Sequence, residues 1–271
     1  MAGNRMPFRR PGERRGFGRQ RKERRQPGFK TASPKSGFMD FFKEVAGSPA
    51  SEAEIAKAIR QVARFKPELD KPNTSEQRMR EIYDQVSTVY LKIIRPQRVE
   101  HEIGIITGHV GIKPTDCIAS ICSGPGVLEA FFAKKIVPQG KVTCIDISPR
   151  MNAIAERVKA KAQAENMDIV TASGAATGLP TSSQDKVLAM QTDLPKTIHW
   201  QPFINEVKRV LKKGPDARFV FSFAAHRQSD IEEVLENLGK NHFRFTPIRY
   251  MRAGKFDAII VIARYDPFGL D

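Results

Sequence analysis

The chain has 271 residues, 40% apolar and 28% charged, with a net charge of +15 and a pI near 9.9. That length buries one full α/β core plus an appendage, and no apolar run, the segment 258–263 included, approaches the roughly 18 residues of a membrane span. Neither a signal peptide nor a disulfide framework is expected: the cysteines are Cys117, Cys122 and Cys144, an odd number without CxxC pairs or nearby histidines. They read as reduced thiols of a cytoplasmic protein.

Charge is unevenly spread. The first 30 residues hold eleven Lys or Arg against Glu13 and Glu23, a net +9. Gly, Pro and isolated Phe replace any periodic apolar face there, so residues 1–37 are expected to be a disordered basic tail. Two readings of it stand. One is an arm for RNA or ribonucleoprotein through the Arg-rich residues 5–30, with Phe8, Phe17 or Phe29 stacking on bases. The other is a solubilising tail with no specific partner. The Arg content also fits a transit peptide, but two glutamates, few serines and no amphipathic helix count against it.

Residues 38–110 read as a helical cover. Ser51 and Glu54 form a capping box before Ile55, Ile59, Val62 and Phe65, which predicts a helix over 52–64. A break at 67–73 follows. Ile82, Val86, Val89 and Ile93 predict a second helix after Ser75, ending before Pro96, and Val99, Ile103 and Ile106 a third over 97–109.

The organising stretch is 118–147. Ile118 to Cys122 is the apolar run of a buried strand, Ser123-Gly124-Pro125-Gly126 a turn, Val127 to Lys135 a helix, and Val142 to Ile147 a second strand that carries Asp146, twenty residues after Gly126. A carboxylate at that separation suits the ribose hydroxyls of a nucleotide-like ligand lying over the turn. A dinucleotide site would want a third glycine and a helix N-terminus facing pyrophosphate. Here the turn runs into Val127, Leu128 and Glu129, and Glu129 would repel a phosphate.

This order resembles class I S-adenosylmethionine-dependent methyltransferases, in particular the group that contains the ubiquinone/menaquinone C-methyltransferases. Their first motif often ends in G-P-G and their second strand in an acid, here Gly124, Pro125, Gly126 and Asp146. The likeness continues through a helix over 149–166, a strand over 169–172, the loop Gly174-Ala175-Ala176-Thr177-Gly178-Leu179-Pro180, a strand over 185–191, the helix segment FINEVKRVLKK ending at Gly214, and a strand over 217–223. A helix over 230–238 and closing strands over 243–250 and 257–264 complete it. The resemblance implies an α/β, Rossmann-like seven-stranded sheet over residues 111–271, with helices on both faces and the last strand antiparallel.

It also implies S-adenosyl-L-methionine as cofactor, held by Ser120, Ser123, Gly124, Gly126, Asp146, Ile147, Ala175, Ala176 and Gln191. Tyr83, in the segment YDQVSTVY, either closes over it or packs in the core. Three positions depart from the pattern: Ser120 stands where the family has an acid that helps hold the methionine end, Cys122 where it has glycine, and Ala175 where it has an acid near the adenine. Lower cofactor affinity follows from the missing charge at Ser120, and the backbone of Ala175 and Ala176 is left to bind the base. No metal site is expected.

Acceptor chemistry belongs after the fourth strand, at 191–196. Asp193-Leu194-Pro195 resembles the N-L-P-Y motif of rRNA adenine dimethyltransferases, with Lys196 in place of the aromatic. Asp193 and His199 are the candidate catalytic residues, and a structural role is the plainer reading of His199 and His226. No cysteine is placed like the nucleophile of a cytosine C5-methyltransferase. Three functions stay open: a methyltransferase acting on RNA or an RNA-associated protein, one acting on a quinone-like or other lipid precursor, and a silent RNA-binding protein of the same fold.

Overall fold

A computed structural model describes residues 37–71, 73–192, 199–225, 228–253 and 256–266. The basic tail, Asp193, Lys196 and His226 lie outside these. Helices α1 (Phe38–Ala46), α2 (Glu52–Ala63), α3 (Lys66–Leu69), α4 (Glu76–Ile93) and α5 (Pro96–His109) come first. Then follow β1 (Cys117–Ile121), α6 (Val127–Phe131), β2 (Lys141–Asp146), α7 (Pro149–Ala162), β3 (Met167–Thr171), β4 (Lys186–Ala189), α8 (Trp200–Val210), β5 (Arg218–Ala225), α9 (Gln228–Lys240), β6 (Phe243–Ala253) and β7 (Phe256–Tyr265).

The strands form one seven-stranded sheet in the order β3-β2-β1-β4-β5-β7-β6. β1 to β5 run parallel, and β7 lies antiparallel between β5 and β6. This is the Rossmann-like class I methyltransferase sheet that the motif order implies. The central strands are near-continuous apolar runs because helices cover both faces. On one face the core joins Val127, Phe131 and Phe132 to Ile154 and Val158 of α7, and on the other Phe203 and Val207 of α8 pack on Phe219 and Phe221.

α1 belongs to the first of these cores. Phe38, Phe41 and Phe42 are at most 5% exposed, and the rings of Phe38 and Phe41 meet Phe131 edge-on at 5.3 and 5.4 Å. Each buried phenylalanine contributes about 1.5–3 kcal/mol, enough to hold a nine-residue helix that would not form alone. α2 opens on the expected capping box, with Ser51 N–H donating to Glu54 Oε2 at 3.0 Å.

The helix expected over 127–135 is interrupted. α6 ends at Phe131 and a π turn continues over Phe132–Ile136, Val137 N–H donating to Phe132 O at 2.8 Å. Phe131, Phe132 and Ala133 are consecutive and all buried. The wider turn carries successive residues through a smaller angle than an α-helix does, so all three reach the same core. α7 is shorter than expected because Gln163 takes a left-handed conformation (φ 50°) that ends it. No helix among the described residues is long and apolar enough to cross a membrane.

Candidate functional site

The C-terminal ends of β1, β2, β3 and β4 open on one cleft, where the strand order reverses between β1 and β4. With the solvent at its mouth it spans about 960 Å³, and a smaller recess of about 580 Å³ on the same measure adjoins it. The two share Tyr90, Cys122, Gly124 and Gln191.

The turn after β1 shapes the floor. Cys122, Gly124 and Gly126 all take left-handed backbone, with φ of 59°, 58° and 71°. Cys122 thus occupies a conformation that suits glycine. Gly124 lines both spaces, and a Cβ there would stand 3.7 Å from the Tyr90 ring, on the side a ligand approaches. Gly126 lines neither. A Cβ on it would come within 2.9 Å of both Ala155 Cβ and Met167 Cε, so close packing of α6 on α7 explains this glycine, in place of the expected cofactor contact.

Asp146 lines the cleft and is 8% exposed. Its Oδ2 accepts from Gly124 N–H and its Oδ1 from Ser148 N–H, each at 2.9 Å. Burial raises its pKa, and the two backbone donors oppose that rise. Ile147 lines the same wall. α4 is pinned across the cleft by Asp84, whose Oδ1 accepts from Ser148 Oγ at 2.6 Å and Arg150 N–H at 3.2 Å at the start of α7, where the helix dipole favours an anion. That anchor brings Tyr83 and Tyr90 to the cleft wall.

The loop after β3 differs from expectation. Ala175 lines the cleft, but its N–H donates to Ser173 Oγ at 3.1 Å, and Ala176 N–H donates to Ser173 O at 3.0 Å. Both amides hold the turn and are not left for a base, and exposed Ala176 lines neither space. Glu76 of α4, which sequence reasoning missed, supplies a carboxylate to this wall and hydrogen-bonds Ser173 Oγ. His199 lines the cleft as well, with Nε2 2.9 Å from Thr74 O and Nδ1 3.8 Å from Glu76. Only a protonated Nε2 hydrogen-bonds a carbonyl, so the ring ties the start of α8 to the start of α4.

The recess holds further groups that no sequence pattern singles out. Glu102 of α5 is fully buried. It accepts from Arg98 Nε at 3.1 Å, from Gln191 Nε2 at 2.9 Å and from the Tyr250 hydroxyl of β6. Burial, then the charge of Glu102, raises the Tyr250 pKa, so the phenol stays a donor. Ser123 lines the recess. Ser120 lines neither space: it is buried beneath, and its Oγ donates to Glu129 Oε1 at 2.6 Å. Glu129, read from the sequence only as a charge that would repel a phosphate at the turn, is 3% exposed and lines the recess.

Residues 118–214 match the family described as a methyltransferase domain. No curated protein sequence matches the chain. Solved structures share the fold at low identity. A SAM-dependent methyltransferase from Aquifex aeolicus is 19% identical with a TM-score of 0.51, over 65% of this chain and 97% of that one. The geranyl diphosphate C-methyltransferase of Streptomyces coelicolor is 14% identical with a TM-score of 0.52, over 86% and 98%. The cyclase SpnF is 15% identical with a TM-score of 0.56, over 64% and 83%.

The residues present fit S-adenosylmethionine. Each Asp146 oxygen keeps a lone pair beyond the amide it accepts, enough for two ribose hydroxyls, and Gly124 leaves backbone open beside it. Tyr83, Met79, Met151 and Phe203 offer apolar faces to a purine. Residues 118–214 thus carry a methyltransferase-domain match within a sheet of class I methyltransferase fold, and the cleft at its edge fits S-adenosylmethionine.

Proposed function

We propose that this enzyme methylates RNA or an RNA-associated protein, in the cytoplasm, where its three free cysteines stay reduced. The observation that carries this reading is charge: +15 overall, of which +9 lies in the first 30 residues. A shallow groove bordered by His109, Arg218, Arg244 and Arg264, the last two sharing Asp266, adds net cationic surface among the described residues. Such surfaces bind polyanions by releasing condensed counterions. S-adenosylmethionine supplies a methyl group already activated on a sulfonium. The protein's share is to align an acceptor and, where needed, to take up its proton. That share falls to the recess, where Phe38, Ile94, Val99 and Leu128 exclude water and Glu102, held by Arg98, Tyr250 and Gln191, accepts a hydrogen bond from an acceptor N–H or O–H.

The test is radiolabelled methyl incorporation into RNA, protein and lipid fractions, together with RNA binding by full-length chain and by chain lacking residues 1–30. Loss of affinity and a shallower salt dependence on truncation are expected. Unchanged affinity and slope would remove the main support for an RNA acceptor. A second reading, a quinone-like or other lipid-precursor acceptor, is favoured by the apolar side chains of Phe38, Ile94, Val99 and Leu128 along the recess. Incorporation into the lipid fraction with no response to RNA would select it.

A further inference from the structure

Five acidic side chains are buried among the described residues: Glu102, Asp116, Glu129, Asp146 and Glu206. Four are compensated within the chain. Glu102 faces Arg98 at 3.1 Å, Asp116 faces Lys186 at 3.0 Å, Glu206 faces Arg209 at 2.7 Å, and Asp146 accepts two backbone N–H groups. Among the described residues Glu129 has no cation beside it, and its partner from another residue is Ser120 Oγ on Oε1. A buried carboxylate without a counter-charge is costly. Burial pushes its pKa up to about 7, the Ser120 hydrogen bond opposing this and the charge of Asp146 adding to it.

The position of Glu129 says which cation would complete it. It lines the recess that meets the cleft at Gly124. A ligand whose ribose lies on Asp146 and whose chain passes Gly124 carries its amino-acid end into that recess. Oε1 is taken by Ser120, which leaves Oε2 for the ligand.

We propose that Glu129 receives the α-ammonium of the methionine end of S-adenosylmethionine, supplying from α6 the negative charge that Ser120 lacks on β1. Ser120 is then a positioning residue that fixes the carboxylate. The weaker cofactor binding expected from Ser120 is thereby offset. The inference rests on cofactor binding in this cleft and holds for either acceptor class, with the methionine end at Glu129 and the acceptor at Glu102 sharing the recess.

The experiment is calorimetric titration of the full chain with S-adenosylhomocysteine, which carries the ammonium, and with methylthioadenosine, which lacks the amino-acid end. Glu129→Gln keeps the shape and an acceptor for Ser120. It is expected to weaken S-adenosylhomocysteine about 10- to 100-fold, the worth of a charge-assisted hydrogen bond, and to leave methylthioadenosine unchanged. Between pH 6 and pH 8 wild type is expected to gain about tenfold in affinity for S-adenosylhomocysteine as Glu129 ionises, a gain absent from the variant. Asp146 and Cys144 on β2, Ser120 on β1 and Glu102 across the recess are present in both proteins, so the difference isolates Glu129. The double variant Ser120→Asp, Glu129→Ser returns the carboxylate to the opposite end of the same hydrogen bond and is expected to regain binding. Equal weakening of both ligands by Glu129→Gln would overturn the assignment while leaving the cofactor reading intact. Wild type that binds neither would overturn both.

Discussion

Gly124 N–H donates to Asp146 Oδ2 at 2.9 Å, so the turn after β1 and the end of β2 are one hydrogen-bonded unit before any ligand arrives. The carboxylate therefore has two tasks, to hold the turn and to meet the ribose. Asp146→Ala leaves the Gly124 and Ser148 amides without their acceptor, and a loss of about 1–3 kcal/mol of stability is expected together with loss of cofactor binding. Urea denaturation beside calorimetry checks it. A variant with wild-type stability would mean that Asp146 serves the ligand alone.

The two glycines of the turn are expected to fail differently. Gly124→Ala puts a Cβ at ordinary contact from Tyr90, so strain at φ 58° is its main structural cost, about 1–2 kcal/mol, and ligand access is what it removes. Gly126→Ala carries similar strain at φ 71° and adds overpacking at 2.9 Å against Ala155 and Met167, about 1–3 kcal/mol more. Thermal unfolding ranks them. If Gly124→Ala proved the less stable of the two, the packing role of Gly126 would be wrong.

How much of this was legible in the sequence follows from the range of the interactions. β1, the turn, β2 and Asp146 stand within thirty residues and announce themselves by apolar runs and glycine spacing. The capping box before α2 is visible because Ser51 and Glu54 are three residues apart. Glu129 was visible as a charge beside the turn that disfavours phosphate, but its bond to Ser120 was not, because nothing local shows that α6 turns it inward. The bonds from Glu102 to Gln191 and Tyr250 span 89 and 148 residues, and no periodicity encodes them. The π turn escaped notice since its apolar pattern continues that of α6.

Cys122 offers a gain in stability. Its φ of 59° is left-handed backbone, and its side chain reaches the cleft surface with one thiol contact to Thr192, so little besides that contact is lost on removing it. Cys122→Gly is expected to stabilise the fold by up to about 1 kcal/mol, strain relief outweighing the added entropy of the unfolded chain. Chemical denaturation under reducing conditions measures it. A lower midpoint than wild type would mean that the cysteine side chain packs against the cleft wall.

Glu129 also sets a pH dependence of stability whose sign can be worked out. Its carboxyl has an ordinary value of 4.5 and is pushed up to about 7 by burial in the folded chain. Between those values the folded state binds more protons than the unfolded state, so stability falls as pH rises through that window. Below about 4.5 both states are protonated and no penalty is felt. Above about 7 the full cost of the buried charge is present, about 3 kcal/mol from the size of the shift. Glu129→Gln cannot ionise, so it is expected to match wild type near pH 4.5 and to exceed it by that amount at pH 8. Asp146, also raised, contributes a slope of the same sign to both proteins and cancels in the difference. Denaturation midpoints of the pair at pH 4.5, 6 and 8 test this, and parallel curves would show that Glu129 is solvated or paired in the free enzyme. Saturating S-adenosylhomocysteine is expected to close the gap at pH 8, because only wild type gives the ligand ammonium its counter-charge.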